Sequence, residues 1–362
     1  MAAHNCRVET YTLMNKVRTN ILATSLLIPL LVNVACTKTS ERRREIVNLG
    51  THSMGTVIYA VGSGLTPVLN ASLPFEVRPV PTSGPGEWLP MMSSQEMDLG
   101  ILNVWDAQEA WRGGFEYKDL SGGKGFPISL IASGHRSLAG IIAAGDSGIK
   151  TGADLRGKRV VAAYSGSPGL TAESHALLAN LGLTPQDIKV VTMPTLNAGV
   201  RAVIEGLVDA NGSTNVGQGV IAELEAARGA RFISSDPSPQ AVERMQKIFP
   251  ATVVKVSPAS DKTGVREEMY MMSYDFYLVG HNELPQELVY MLVKTMWDKN
   301  ESIKRVNVPL SDWTREKFVN IQSKIPYHPG AVRFYKEQGV WTESMEIHEK
   351  ELKASKSAMS IH

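Results

Sequence analysis

The stretch that decides the fold is Ile46-Val47-Asn48-Leu49-Gly50-Thr51-His52-Ser53-Met54-Gly55-Thr56, which is followed by an apolar periodic run over residues 57–69. Its first five residues predict a β-strand, the glycine- and hydroxyl-containing segment predicts a turn, and the apolar residues at helical spacing predict a helix. A strand, a turn and a helix in this order are typical of α/β proteins, in which helices cover a parallel sheet.

The same unit recurs along the chain. Further strands are predicted at residues 75–80, 97–102, 139–144, 159–163, 189–193, 231–234 and 271–279, and further helices at 87–94, 103–111, 171–181, 197–205 and 286–299. These units form two series, which predict two α/β lobes. The chain is expected to cross between the lobes at 130–142 and to return at 249–271, so lobe 1 comprises residues 46–134 plus 271–362, and lobe 2 comprises 135–270. Two crossings predict a hinge.

Composition excludes several classes of function. The 362 residues include 37 lysines and arginines against 36 aspartates and glutamates, which leaves a formal charge of +1 and no basic field for nucleic acid. Both cysteines, Cys6 and Cys36, lie near the amino terminus, and the histidines form no i, i+4 pair. No metal site, no cofactor and no nucleic-acid partner are therefore expected.

Residues 1–36 have the pattern of a secretory signal peptide. The apolar run at 21–32 is shorter than the roughly 20 residues that a spanning helix needs, and Pro29 interrupts it. Val34-Ala35-Cys36 resembles a bacterial lipobox, although Asn33 stands where an aliphatic residue is usual, so lipidation at Cys36 and simple cleavage both stay open. Met14 is an alternative start to Met1. We expect a periplasmic or extracytoplasmic location, with membrane attachment only through such a lipid anchor.

Polar turns that follow the predicted strands are the candidate ligand site. In open α/β sheets, ligands bind beyond the carboxyl ends of the strands, where turns and helix amino termini offer N–H groups. Each turn alone is better explained as a structural turn or helix cap. Taken together, the five predicted turns, at residues 51–56, 82–86, 103–106, 164–169 and 211–215, favour a site for a small polar or anionic solute. The turn residues predicted to bind it are Ser53, Met54, Thr56, Ser83, Gly84, Asn103, Ser165, Gly166, Ser167, Ser213 and Thr214.

Three larger side chains are added to the candidate site. Trp88 and Trp105 fall within or just after two of the turns and could stack on a solute, with core packing as the alternative. Arg136, at the first predicted crossing, could clamp a carboxylate bidentately as the lobes close, with a surface ion pair as the alternative.

Four segments resemble the TAXI family of solute-binding proteins, the extracytoplasmic receptors of one class of tripartite ATP-independent periplasmic (TRAP) transporters. They are residues 50–56, Gln95-Glu96-Met97-Asp98-Leu99-Gly100, residues 146–160, and the run at 325–337 that contains His328-Pro329-Gly330-Ala331. The resemblance extends over about residues 47–339.

The resemblance implies an α/β, type II-like periplasmic-binding-protein fold with two lobes, mixed sheets, a cleft and a two-crossing hinge. It implies a receptor, not an enzyme, that closes on a small organic carboxylate or amino acid and delivers it to a TRAP-type permease. Two departures matter. The opening turn Ser53-Met54-Gly55-Thr56 lacks a hydroxyl and a glycine of the family's usual turn, and in the lobe 2 turn Pro168-Gly169-Leu170-Thr171 stands where the family commonly places an arginine. Glutamate-like specificity is therefore not carried over.

Two other functions stay open from the sequence. An exported hydrolase could use Ser165 or Ser167 with His175 in the same cleft, although no GxSxG motif is present. A receptor of the same fold could also feed a sensor kinase instead of a permease.

Overall fold

The computed structural model describes residues 45–359. The predicted signal peptide, Cys36 and both candidate start methionines lie outside these residues. The strands are β1 Ile46–Thr51, β2 Glu76–Pro81, β3 Leu99–Asn103, β4 Ile128–Ala144, β5 Arg159–Tyr164, β6 Lys189–Met193, β7 Ala210–Asn215, β8 Ala230–Phe232, β9 Thr252–Val256 and β10 Met269–His281. The helices are α1 Val57–Asn70, α2 Pro85–Ser93, α3 Val104–Arg112, α4 Glu116–Leu120, α5 Pro168–Asn180, α6 Leu196–Ile204, α7 Gly219–Arg228, α8 Pro239–Gln246, α9 Gln286–Asp298, α10 Asn300–Lys304, α11 Arg315–Phe318, α12 Pro329–Glu337 and α13 Glu343–Met359.

The strands form one mixed sheet in the order β2-β1-β3-β10-β4-β7-β5-β6, with β8 added to β4 and β9 added to β10. β1 is parallel to β2 and β3, and β5 is parallel to β6 and β7. β4 and β10 run antiparallel to each other and to the parallel groups beside them. We call the two parallel groups the β1 side (β1, β2, β3) and the β5 side (β5, β6, β7).

β4 and β10 are the two strands that both sides share. β4 pairs with β10 along its first part and with β7 and β8 from Ala139 onward. β10 pairs with β9 at Met269–Ser273 and with β3 from Phe276 onward. The chain therefore passes between the two sides inside these strands. β9 pairs with the opening residues of β10, and the expected return at 249–271 stays a prediction.

The β1 side is packed around one buried tryptophan. A Cβ atom at Gly50 would lie 2.8 Å from the Trp88 ring, and one at Gly100 would lie 2.2 Å from it, so both strands need glycine where the indole packs. Trp88 is 0% exposed. The expectation that Trp88 stacks on a solute is thus corrected to its alternative, core packing.

Residues 211–215, expected to form a turn, instead form most of the buried strand β7. Their polar side chains are tolerated there because they bond to one another and to neighbouring strands: the Asn211 amide donates to the Ser213 carbonyl and the Thr214 hydroxyl, and its oxygen accepts from Tyr164. In the part of the chain that the structure covers, no helix combines the length and apolar character that crossing a bilayer demands.

Candidate functional site

Turns from the β1 side lie directly against turns from the β5 side, at the carboxyl ends of their strands. Both sets are the turns that the sequence places after strands, and together they form what we call the cleft. Among the hydrogen bonds that cross it are Gly86 N–H to the Gly166 carbonyl at 3.3 Å, the Asn197 amide to the Met54 carbonyl at 2.8 Å, and Gly219 N–H to the Gly55 carbonyl at 3.3 Å.

The contact between residues 83–86 and Gly166 depends on glycine. A Cβ atom at Gly166 would lie 2.5 Å from the Ser83 Cβ, and one at Gly84 would lie 2.5 Å from the Gly166 carbonyl oxygen. Gly84 also has a positive φ of 150°, a conformation that favours glycine. The two backbones can approach this closely only because neither residue carries a side chain.

Asp106 is a buried carboxylic acid that joins the two sides of the cleft. It sits at the third position of α3, where the Asn103 side chain caps the helix by accepting from Asp106 N–H at 2.7 Å and donating to Asp106 Oδ2 at 2.8 Å. The Tyr117 hydroxyl donates to Oδ1 at 2.6 Å, and Gly169 N–H, in the first turn of α5, also donates to the carboxyl group. Burial nevertheless raises the pKa of Asp106 to about 7.

Glu173, one turn further along α5, is a second buried carboxyl group. Its Oε2 accepts from the Tyr274 hydroxyl at 2.7 Å, and the Asn215 amide donates to the same tyrosine oxygen at 2.8 Å and to the Ser137 hydroxyl at 2.7 Å. Burial raises the pKa of Glu173 to about 7, and the negative charge of Asp106 adds to that rise.

Several buried polar atoms around the cleft have no hydrogen-bond partner among the described residues. They come from both sides: His52 Nε2 follows β1, Ser167 Oγ precedes α5, Glu173 Oε1 lies on α5, and Gln218 Oε1 precedes α7. Burial lowers the pKa of His52 to about 4, so its ring is neutral at physiological pH. An unpartnered buried polar group costs free energy, and a bound polar solute would recover it.

Trp105 lies at the edge of the cleft and touches both sides. Its ring stacks on Phe249 with centroids 6.3 Å apart and an interplanar angle of 9°, and Phe249 in turn contacts Tyr274 at 5.0 Å. Trp105 also lines a cavity of about 340 Å³ together with Phe115, Pro168 and His175. Its position is compatible with the predicted contact with a solute.

The other predicted residues lie in several different places. Asn103, Gly166 and Ser167 are buried in the cleft, Ser213 and Thr214 are buried on β7, and Ser165 is exposed. Ser53 and Met54 line a cavity of about 600 Å³ beside α6, and Thr56 caps α1. Ser83 donates through its N–H and hydroxyl to Glu87 at 2.9 and 2.7 Å.

Arg136 lines a cavity of about 320 Å³ that Val104, Tyr274 and Lys324 also line. Its Nε lies 3.7 Å from Asp275 Oδ1. More than half of its side chain is exposed, at 55%. This ion pair is the alternative to a carboxylate clamp, and contact of Arg136 with a solute stays a prediction.

The serine and histidine of the hydrolase alternative are too far apart. Ser167 precedes α5 and His175 lies eight residues further on, which at 1.5 Å per residue separates their backbones by about 12 Å. The Ser167 hydroxyl has no hydrogen-bond partner at all in the described part of the chain. A nucleophile and its base must be within hydrogen-bond reach, so this pair does not form one.

Two of the cleft's most informative residues were missed from the sequence. Asp106 could have been found, because an acidic residue three positions after Asn103 is a capping-box pattern at the start of a predicted helix. Glu173 carries a weaker signal, as the single acidic residue in the apolar and small-residue run 168–180. Tyr274 and Asn215 carry none, since their roles depend on how β7 and β10 meet.

Two sides of one sheet that share two strands and meet at a polar cleft define an α/β, two-lobe periplasmic-binding-protein fold. The predicted fold class is thereby confirmed. The family model that matches residues 49–339 is that of the NMT1-like family, and the chain belongs to this family.

Solved structures share the fold at low sequence identity. PhnD1 from Prochlorococcus marinus, in complex with methylphosphonate, is 11% identical, with a TM-score of 0.50 over 82% of this chain and 99% of that one. A binding-protein component of an ABC phosphonate transporter from Pseudomonas aeruginosa is 12% identical, with a TM-score of 0.50 over 88% of this chain and 97% of that one.

Proposed function

We propose that the protein is an extracytoplasmic receptor that closes on a small polar solute and delivers it to a membrane permease. The observation that carries the proposal is the meeting of turns from both sides of the sheet around buried, unpartnered polar atoms, among them Ser167 Oγ and Gln218 Oε1. The fold shared with periplasmic binding proteins supports it. Closure is then a population shift, because the solute contacts both lobes only when they meet.

Two finer features belong to this proposal. The proposal of export rests on the signal-peptide pattern of residues 1–36, with Cys36 as the candidate lipid attachment site. The permease is of the TRAP type, on the strength of the segments at 50–56 and 325–337 that resemble TAXI receptors. The Pseudomonas aeruginosa structure belongs to an ABC transporter, so ATP-driven import is the outcome to test against.

A thermal-shift screen tests the receptor function. The purified protein is unfolded in guanidinium chloride, refolded to remove any retained solute, and screened against amino acids, amines, dicarboxylates, keto acids, sugars and phosphonates. A solute that binds only the folded state stabilises it by RT ln(1 + [L]/Kd), about 2.7 kcal/mol at a hundredfold excess over Kd. A saturable rise in Tm from one solute class is expected.

Two neighbouring serines provide a matched pair of variants. Ser167→Trp fills the buried cleft and should abolish the solute-induced rise in Tm, whereas Ser165→Trp adds the same ring to an exposed position and should preserve it. Circular dichroism confirms that both variants fold. Equal binding by the two would place the solute site elsewhere, and no stabilising solute in the whole panel would contradict the receptor function.

Uptake into membrane vesicles from the source cells tests the coupling. With the receptor and a bound radiolabelled solute added outside, TRAP-type transport should stop when an ionophore collapses the ion gradient and should continue after ATP is depleted. The opposite pattern would assign the receptor to an ABC transporter. No receptor-dependent uptake under either condition would favour the sensor-kinase alternative.

A further inference from the structure

The charges buried in this protein are of one sign. Among residues 45–356, the charged side chains of low exposure are Asp106, Glu109, Glu173 and Glu349, and no lysine or arginine joins them. Asp106 and Glu173 both belong to the cleft. A receptor that holds an anion normally presents arginine, lysine or free N–H groups to it. The buried part of this cleft presents two carboxyl groups instead, while Arg136 and Lys324 line the neighbouring cavity that Tyr274 shares.

Helix amino termini would be the other means of binding an anion, and three of those at the cleft, the starts of α2, α5 and α7, each have one N–H bonded to a protein acceptor. The first turn of α5 is bonded to the Asp106 carboxyl group through Gly169 N–H. The starts of α2 and α7 are bonded to the carbonyls of Gly166 and Gly55. Proline at the first position of α2 and of α5 removes a further N–H from each.

Two of the unpartnered atoms of the cleft can only accept. Glu173 uses one oxygen for the Tyr274 hydroxyl, while its Oε1 has no partner within hydrogen-bond distance, and Gln218 Oε1 has none either. Ser167 Oγ, Ser213 Oγ and His52 Nε2 can donate or accept, and the Ser213 hydroxyl acts on the Glu173 carboxyl group by lowering its pKa. A solute that satisfies the two acceptors must bring hydrogen-bond donors.

Aromatic rings stand beside the two carboxyl groups. Trp105 precedes Asp106 in α3 and stacks on Phe249, and Phe249 contacts Tyr274, whose hydroxyl bonds to Glu173. Cationic nitrogen groups bind both to carboxylates and to the faces of such rings. The cleft thus combines carboxyl groups and aromatic rings, the two kinds of group that bind a cationic nitrogen.

We infer that the cleft selects solutes that carry a cationic nitrogen, an ammonium or guanidinium group, with Glu173 Oε1 as its principal acceptor and Asp106 as the second carboxylate. This inference rests on the proposed receptor function and narrows its solute class: an amino acid or amine fits, whereas a dicarboxylate or a phosphonate does not. The cation would stabilise the ionised form of carboxyl groups that otherwise have no counter-charge and stay protonated up to neutral pH.

A four-carbon series tests the charge preference directly. Putrescine has an ammonium group at each end, γ-aminobutyrate has one ammonium and one carboxylate, succinate has two carboxylates, and 1,4-butanediol is neutral. Calorimetric titration of the refolded full-length protein at pH 7.5 is expected to show binding of putrescine or γ-aminobutyrate at least tenfold tighter than that of succinate. Methylphosphonate, which PhnD1 holds in its structure, is a further anionic arm.

Variants test the assigned residue. Glu173→Gln keeps the size of the side chain and should weaken binding of the ammonium solutes at least tenfold, while Glu243→Gln, at an exposed ion pair on α8, should leave it unchanged. Glu173→Gln should also abolish the proton release that accompanies binding to the wild type near pH 7. Titrations in buffers of different ionisation enthalpy measure this proton release. A merely structural role for Glu173 would weaken binding without changing the proton count.

The remaining outcomes distinguish failure of this inference from failure of the receptor function. Tighter binding of succinate or methylphosphonate than of the ammonium solutes would overturn the inference and leave the receptor function intact. Binding, in the wider screen, only of solutes without a cationic nitrogen would do the same. Failure of every solute in both panels would overturn both.

Discussion

Glu173 is a carboxyl group that burial keeps protonated up to neutral pH, and this makes the stability of the protein depend on pH. Its pKa of about 7 exceeds the ordinary value of 4.5, so between these values the folded state holds a proton that the unfolded state has lost. The free energy of unfolding should therefore fall as pH rises through this range, by up to about 3 kcal/mol from this residue. The groups that act on its charge are Ser213, Tyr274, Tyr164 and Asp106.

Urea unfolding of the wild type and of Glu173→Gln at pH 5, 6, 7 and 8 measures this contribution. Gln does not titrate, so the wild type should lose stability relative to the variant as pH rises. His52 titrates in both proteins and cancels in the difference, whereas the difference keeps the part of the Asp106 titration that depends on the Glu173 charge. Parallel pH profiles would show that Glu173 titrates as an ordinary exposed carboxyl group.

Thr56 shows, at the scale of an element, why a predicted ligand residue must be tested against a structural role. Its hydroxyl oxygen accepts from Tyr59 N–H at 3.2 Å and its hydroxyl donates to the Ser53 carbonyl at 2.8 Å, so it caps α1 and closes the opening turn. Thr56→Val should lower the free energy of unfolding by about 1 kcal/mol, and Thr56→Ser should retain most of the wild-type stability.

Urea unfolding of the two variants checks this expectation. Solute affinity measured on the same proteins then distinguishes the roles. If Thr56 only caps the helix, the folded Thr56→Val variant binds as the wild type does. If both variants are as stable as the wild type, the cap contributes nothing and the hydroxyl is free for the solute.

The elements that the sequence predicted well are those whose apolar residues recur at regular spacing. β6 is found at its predicted residues, and α5 and α9 lie within a few residues of their predicted bounds. β7 was missed because its buried residues are polar, and Asn211 and Asn215 find partners only once β5, β4 and β10 stand beside them. Such pairing over long sequence separations leaves no local pattern.

Some of the segments that carry the family resemblance serve packing and not the cleft. The His328 ring nitrogen accepts from Gly330 N–H at 3.1 Å and caps α12, and a Cβ at Gly330 would lie 2.3 Å from the Gln286 carbonyl oxygen of α9. Asp98 accepts from Asn48 N–H at 2.7 Å, which ties β3 to β1. The sequence therefore predicted the fold better than the site, because the site depends on Asp106, Glu173 and Tyr274 meeting across the sheet.

At the scale of the whole molecule, β4 and β10 support the sheet and also connect the two lobes as a hinge. Because β4 and β10 are continuous through both sides, movement of one lobe on the other must occur by bending and twisting of these strands and not by sliding of two separate bodies. Register irregularities between β10 and β4 fall at Asp275–Tyr277 and at Leu278–Val279, where the regular ladder is interrupted. We propose the first of these, beside the change of partners in β10, as the point of bending.

Gly166→Val should hold the lobes apart, because the new side chain begins 2.5 Å from the Ser83 Cβ across the cleft. Small-angle X-ray scattering should then give a larger radius of gyration for Gly166→Val than for the wild type when a binding solute is present at saturation. Ser165→Val, one residue earlier and exposed, is the matched control and should close normally. Solute affinity should fall at least tenfold in Gly166→Val alone, since the solute gains its second set of contacts only on closure. A variant that folds, scatters like the wild type and binds as tightly would show that the turns at Ser83 and Gly166 do not need to meet, and that the solute is held on one lobe.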